Sequence, residues 1–367
     1  MAKILFVGDI CSHGYTKAHL SDFKKTKLFK YLNEYDGLVI GNLEAPILNE
    51  FIQENLNKFS LLNSRDNFEF YSFCDALSLA NNHMFDQGYE GFIETKKFLK
   101  QLDVKCLGAG SNIDESRKPL ILNLGVMKVS FLAYNCYSTN SQNNADASSY
   151  GTSPLLYDFI KEDIEALKKM KVDKIFILPH WGIENEFFPT SEQVCFARKV
   201  IDLGADGIIG SHTHCIQTDE LYNGRPIFYS LGNFLFNNFK VTKEQTYYQG
   251  KFNKEGLLVE LSFSSEDVLN VERKYISFNS DMIPDFKKLC ELKTPVTDNN
   301  MKHNIITKTF FHKKTAPDMG LNLKYNGRSV QVVYASNPIS KNIMLTYDSL
   351  LTKVKRILVY RLRKLLK

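Results

Sequence analysis

Five short apolar runs between residues 4 and 209 each end in side chains that can bind a metal. Residues 4–7 lead into Gly8-Asp9-Ile10-Cys11-Ser12-His13, and residues 38–40 lead into Gly41-Asn42-Leu43-Glu44. Residues 76–79 precede Asn81-Asn82-His83, with Asp86 close behind. Residues 175–178 precede Pro179-His180-Trp181-Gly182 and then Glu184. Residues 206–209 precede Gly210-Ser211-His212-Thr213-His214. Runs this short and this apolar suit buried strands. In open α/β sheets ligands bind beyond the carboxyl ends of strands, so five such ends predict one shared site.

Helix-like stretches separate the runs, at residues 18–32, 88–102, 158–170 and 191–203. A hairpin is expected at 120–124 and 128–134 around Gly125. Further strands are expected at 226–229, 257–263 and 268–277. Repeated strand–helix alternation predicts an α/β, layered-sheet fold. The polar run 138–153 reads as a long surface loop that could cover a site.

The chain has 367 residues, 44% hydrophobic and 13% aromatic, which fits a globular body with a sizeable core. A body over 1–280, an extension over 281–340 and a tail over 341–367 are expected. The seven cysteines are scattered with no Cys-x-x-Cys pair, which predicts buried free thiols and a reducing compartment. No apolar run is long enough for a signal peptide or a membrane span, so a cytoplasmic protein is expected.

Net charge is uneven. Residues 341–367 hold eight basic residues and one acid, so the tail carries +7 and the remainder −2. Ile343, Tyr347, Leu350, Val354, Ile357, Leu358, Leu362 and Leu365 recur there at helical spacing. A basic amphipathic helix of this kind packs on the body, docks a partner, or lies peripherally at the anionic inner face of a membrane. No nucleic-acid partner is expected.

Mixed carboxylate, amide and imidazole groups suit a divalent metal such as Mn, Fe or Zn better than Mg or Cu. A bridging carboxylate between histidine-bearing sets would hold two ions, as in phosphatases and nucleases. A further histidine could act as general acid. Taken singly, Asp9 and Glu44 could be helix caps, Asn82 a turn residue, and His83 and His180 core histidines. The sequence carries no Gly-x-Ser-x-Gly elbow, no phosphate-binding Gly-x-x-x-x-Gly-Lys loop and no His-Glu-x-x-His.

Six motifs in order are Gly-Asp near the start, Asn-Leu-Glu (42–44), Asn-Asn-His (81–83), His-Trp-Gly-x-Glu (180–184), Gly-x-His-x-His (210–214) and Ser-Leu-Gly-Asn-Phe (230–234). Together they resemble the poly-γ-glutamate capsule synthesis protein CapA family, which is similar to the calcineurin-like metallophosphoesterases. The resemblance covers about residues 3–240. It implies a four-layered α/β/β/α sandwich of two sheets with the site at one edge. It also implies two divalent ions. Asp9 then looks like a ligand of the first, Glu44 like the bridge, and Asn82, His180 and His212 like ligands of the second. His214 looks like the ligand returning to the first metal, and His83 like the histidine that assists the leaving group. Asp86 and Glu184 are candidate catalytic groups. His13, Asn42, Asn81, Trp181 and Asn233 are expected behind the ligands or facing substrate. Ordinary metallophosphoesterases place a histidine two residues after the first aspartate, whereas His13 lies four after Asp9. They also carry aspartate where this chain has Asn42, so Glu44 must supply the bridge.

The expected activity is a metal-dependent phosphoesterase or phosphoryl transfer on a capsule or surface-polymer intermediate. The alternatives are a non-catalytic biosynthesis or export factor that binds an anionic or glycan polymer, and metal-dependent amide chemistry.

Overall fold

The computed structural model describes residues 2–52, 60–139, 143–240, 246–264, 267–294, 321–325, 328–333 and 344–346. The principal elements are β1 (Ala2–Cys11), α1 (Lys17–Phe23), α2 (Lys27–Asn33), β2 (Leu38–Leu43), β3 (Ala76–Ser78), α3 (Gly88–Gln101) and β4 (Lys105–Leu107). They continue with β5 (Leu120–Leu124), β6 (Met127–Asn135), α4 (Tyr157–Lys169), β7 (Lys174–His180), α5 (Ser191–Asp202) and β8 (Gly207–Ile209). The last are β9 (Asp219–Tyr222), β10 (Arg225–Phe228), β11 (Asn233–Phe236), β12 (Glu255–Ser264), β13 (Asp267–Phe278) and β14 (Pro284–Lys287).

Among the described residues, two large sheets form. One runs β14-β13-β12-β1-β2-β3-β4, with β11 also paired to β1. The other runs β9-β10-β8-β7-β6-β5. Alternation along each strand sorts side chains into layers, because successive residues point to opposite faces. In β1, Ile4 and Phe6 enter the core between the sheets, while Leu5 and Val7 face the other way. In β6 and β7, Val129, Phe131, Phe176 and Leu178 face the same inner core, and Leu132, Tyr134, Ile175 and Ile177 face outward. Phe6 meets Phe131 and Phe176 across the gap, with centroids 6.2 and 5.4 Å apart.

Helices cover both outer faces. Leu20 and Phe23 of α1, Leu28 and Leu32 of α2, and Phe92 and Leu99 of α3 pack with Leu5, Val7 and Leu77 of the first sheet. Ile160, Ile164 and Leu167 of α4 pack with Val194, Ala197 and Val200 of α5 against the second. The result is an α/β/β/α sandwich with three apolar layers. The free cysteines fit the same picture, with Cys11, Cys74 and Cys215 buried in it.

Most expected elements are present within a residue or two. The expected helix over 18–32 is two helices. Thr26 divides it, because its hydroxyl donates to Phe23 O and accepts from Phe29 N, capping α2. The expected boundary at 280 falls inside the first sheet, since β14 pairs with β13. Asn279 closes the turn between them by accepting from the backbone N–H groups of Asp281 and Ile283. Residues 321–325, 328–333 and 344–346 form a small antiparallel sheet. Residues 344–346 are therefore strand where the basic helix was expected to begin, and the rest of that expected helix lies outside the described residues. No helix among the described residues is long and apolar enough to cross a membrane.

Phe6→Ala removes the ring that joins the two sheets. It is expected to lower unfolding free energy by about 3–5 kcal/mol in urea titrations followed by circular dichroism.

Candidate metal centre

The strand ends of both sheets meet at one edge. Parallel pairing sets Asp9 of β1 beside Asn42 of β2 on one side and Asn233 of β11 on the other. Asn42 Nδ2 donates to Asp9 Oδ1 at 2.8 Å, and the backbone N–H of His212 donates to Asp9 Oδ2 at 3.1 Å. The carboxylate is thereby aimed across the gap between the sheets. Such proximity needs a backbone with no side chain in the way. A Cβ on Gly8 would lie 2.0 Å from Gly232 O, and one on Gly210 the same distance from Tyr229 O.

Glu44 follows β2 and is wholly buried. Its Oε1 lies 3.6 Å from His180 Nε2 and 3.7 Å from His214 Nε2. The ligand atoms of Glu44, His180 and His212 fall within 4.8 Å of one another, and so do those of Asp9, Glu44 and His214. Glu44 belongs to both groups. Asn82 joins the first, with Oδ1 2.8 Å from His180 Nε2. His212 Nδ1 lies 3.2 Å from the same nitrogen.

The outer ring nitrogens are tied down. His180 Nδ1 lies 2.9 Å from Ser211 Oγ, and His214 Nδ1 lies 3.0 Å from Asn233 Oδ1. Asn233 Nδ2 in turn donates to Asn253 O, and Asn253 Nδ2 donates to His214 O. Partners of this kind fix ring orientation and tautomer in metal sites. His212 and His214 both adopt positive φ, 97° and 56°. Non-glycine residues held there cost about 1–3 kcal/mol each and cluster at functional sites.

The electrostatics describe groups that want a cation. Burial pushes the Glu44 carboxyl well above the usual range, and the neighbouring Asp9 charge pushes it further. Burial also raises Asp9, opposed by His214 and by the Asn42 hydrogen bond. Burial drives His180 and His212 well below the ordinary imidazole value, with the other histidines' charge adding to it. Neutral imidazoles and carboxylates are the forms a metal takes. Both Glu44 oxygens and His212 Nε2 are buried without a hydrogen-bond partner. An unpaired buried carboxylate is costly, and coordination is the ordinary way to satisfy one. The residues therefore fit a divalent ion with oxygen and nitrogen ligands.

Asp9, Glu44, Asn82, His180, His212 and His214 come together in the structure. Asn42 and Asn233 stand behind Asp9 and His214. Asn81 Nδ2 donates to Asn42 Oδ1 and Leu43 O, bracing the Asn42 loop. Asp86 accepts from Leu61 N and lies 2.8 Å from His83 Nδ1, so it positions His83. Glu184 is exposed at the rim, outside both groups. Two expectations are corrected. Trp181 is buried among the outer-face residues of the second sheet and α5, its Nε1–H spent on Tyr229 O, so it does not face substrate. His13 lies outside both groups, with Nδ1 3.1 Å from Leu62 O and its ring against Phe239. Ser211 and Asn253 were not singled out. Ser211 lay in plain view between Gly210 and His212, whereas Asn253 has no signal in sequence.

Residues 3–238 match the family model described as bacterial capsule synthesis protein PGA_cap. The chain belongs to that family. It is 30% identical over 244 residues to a capsule biosynthesis protein CapA of Bacillus anthracis, covering 63% of this chain and 59% of that protein. It is 29% identical to a PGA biosynthesis protein CapA of Bacillus subtilis, covering 68% of each. Among solved structures, a novel phosphatase of Mycoplasma pneumoniae is 16% identical, with a TM-score of 0.46 over 75% of this chain and 93% of that one. The calcineurin-like phosphoesterase YfkN of Bacillus subtilis is 15% identical, with a TM-score of 0.39 over 84% and 96%.

In protein stripped of metal, Glu44→Gln is expected to raise the urea midpoint at pH 7, because it removes a fully buried acid crowded by the Asp9 carboxyl. The folded Glu44 carboxyl is raised, so its penalty applies above the unfolded value of about 4.3 and fades as pH falls to it. The gap between variant and wild type should therefore shrink from pH 7 toward pH 4.5. A gap that widens would contradict the assignment.

Proposed function

We propose that this protein is a dinuclear metal-dependent phosphoesterase, or phosphoryl-transfer enzyme, acting on a capsule or surface-polymer intermediate. The observation that carries the reading is Glu44, buried, unpaired and common to both ligand groups. Membership of a capsule synthesis family supports the choice of polymer. Asp9, Glu44 and His214 would hold one ion, and Glu44, Asn82, His180 and His212 the other, with Mn, Fe or Zn as the fitting metals. Ions in such a pair supply an activated water and neutralise charge on the phosphoryl oxygens.

The chain's own groups do the rest. Asn42 and the His212 N–H hold the Asp9 carboxylate, so it keeps one orientation. Asn233 accepts Nδ1–H of His214, and Ser211 takes that of His180 in the metal-holding tautomer. Each ring then turns an unprotonated Nε2 inward. His83 sits next in sequence to Asn82, with its side chain 15% exposed, as His214 is at 14%. Asp86 accepts its Nδ1–H and stabilises the imidazolium. His83 Nε2 then delivers a proton to the leaving oxygen.

The test joins metal analysis to hydrolysis of phosphodiesters and phosphomonoesters. Wild type should bind close to two ions and turn over. His83→Ala should keep its metal and lose about 10²–10⁴-fold in kcat, as expected for a general acid. His212→Ala should lose metal and turnover together. Wild type that binds metal without hydrolysing either class would favour a polymer-binding role instead.

The tail would hold the enzyme at the inner membrane face by its charge of +7 over residues 341–367. Truncation after residue 340 should release it from vesicles containing anionic lipid in a sedimentation assay. Unchanged sedimentation would refute the anchor.

A further inference from the structure

Neighbouring strands of the second sheet carry candidate ligands of different groups. β7 ends in His180, and β8 leads into His212 and His214. These strands pair at Phe176 with Gly207 and at Ile177 with Ile208, and a last bridge joins His180 to Ser211. Beyond that bridge, other contacts hold the loop 182–186 to the turn 212–214. Asn185 N donates to Thr213 O at 2.9 Å, and Gln217 Nε2 donates to Glu186 O at 3.0 Å.

Asn253 binds both sides at once. Its Nδ2 donates to Asn185 Oδ1 at 2.8 Å and to His214 O at 3.2 Å. An amide nitrogen carries two hydrogens, and here each has an oxygen to meet. The opposite amide orientation would set Oδ1 against the His214 carbonyl, so this position calls for a double donor. Asn253 is itself held, being 5% exposed, with its N–H donating to Gly250 O at 3.1 Å. Its carbonyl accepts from Asn233 Nδ2, and Asn233 Oδ1 faces His214 Nδ1. One residue therefore holds the His214 backbone directly and the His214 ring through Asn233.

The contacts act on bent backbone. Gly182 and Asn185 have positive φ, 98° and 64°, as do His212 and His214 in the turn they meet. Thr213 Oγ1 donates to Cys215 O and accepts from Cys215 N, tightening the turn about His214. A Cβ on Gly182 would come 3.1 Å from Thr213 Cγ2, so loop and turn also lie in close approach. Such conformations persist only where their surroundings over-determine them. His180 and His214 belong to different groups that share Glu44. We propose that Asn253 is a positioning residue that clasps the 182–186 loop to the His212–His214 turn and so sets His214 against His180. The consequence for ions rests on the dinuclear reading, whereas the clasp itself is testable in metal-free protein. By linkage, an ion bound through His214 and order in the 182–186 loop favour each other.

The test uses the full chain, stripped of metal and titrated with Mn²⁺ by calorimetry, with hydrogen exchange of residues 182–186 followed by mass spectrometry. Asn253→Ala should weaken one ion about 10–100-fold, the cost typical of losing a partner behind a metal ligand, and leave the other bound. It should also speed exchange at 182–186 in metal-free protein. Asn253→Asp, the same shape without donors, should behave as Asn253→Ala does. Asn185→Ala should give a smaller loss in the same direction. Asn185→Asp keeps the acceptor and should retain wild-type exchange and affinity. The double variant Asn185→Ala, Asn253→Ala should be no worse than Asn253→Ala alone, because the two residues share one interaction. Unchanged exchange at 182–186 in Asn253→Ala overturns the proposal. So does a lowered melting temperature with both ions bound as in wild type, which is what a merely structural role would give. Wild type that takes up no Mn²⁺ would sink the dinuclear reading, and faster exchange in Asn253→Ala would still support the clasp.

Discussion

A buried carboxylate with no hydrogen-bond partner sets the terms for the rest of this molecule. Glu44, at the edge of the first sheet, belongs to two groups whose histidines all end or follow strands of the second. Burial alone drives its pKa up, and the Asp9 carboxyl beside it adds to the cost. A protein does not keep such a group for stability, since removing one buried charge or replacing it with neutral packing is often favourable. A cation placed there would meet oxygen and nitrogen atoms already held in place.

Holding them is the task of the fold. Two sheets face each other through the Phe6, Phe131 and Phe176 cluster, which fixes their separation. That separation decides whether Asp9 and Glu44 of one sheet can reach His180, His212 and His214 of the other. Close backbone approach at Gly8 and Gly210 brings the strand ends inward. The strained conformations of His212 and His214 turn two ligands into the gap within three residues. Strain of this kind persists only where packing over-determines it, and buried β8 and β10 provide that packing.

The legible part of the site was its candidate ligands, for a chemical reason. Few residue types bind a divalent ion, and strand ends are where sheets present them, so Asp9, Glu44, Asn82, His180, His212 and His214 stood out together. The layered fold was legible because alternation along buried strands is a sequence property. What supports the ligands was harder to read. Asn253 lies in a polar stretch that looks like any loop, and its carbonyl, which accepts from Asn233, and its amide, which donates to His214 O, matter only because the fold sets it beside both. His13 looked like a site residue by proximity to Asp9. Its ring meets the Leu62 backbone, 49 residues away in the chain. Trp181 shared a motif with His180, yet successive strand residues face opposite ways, and its ring went to the outer core. The break at Thr26 was hidden because the apolar spacing of α1 and α2 continues through it.

The buried edge that gathers the candidate ligands is also joined to an apolar cluster. His214 spends Nδ1 on Asn233 and turns Nε2 toward Glu44, while the edge of its ring meets Phe236. A single imidazole therefore joins the polar centre to an aromatic row of Phe236 and Phe239. Movement of that row would tilt the ring and disturb the metal geometry, so the row must be rigid. Packing of Phe236 and Phe239 with buried Cys11, Ala45 and Leu61 provides that rigidity. Ala45 follows Glu44 directly, so the packing that seats the aromatic row also seats the shared carboxylate. Ligand placement and the aromatic row are consequently set by one small cluster, and neither can shift without the other.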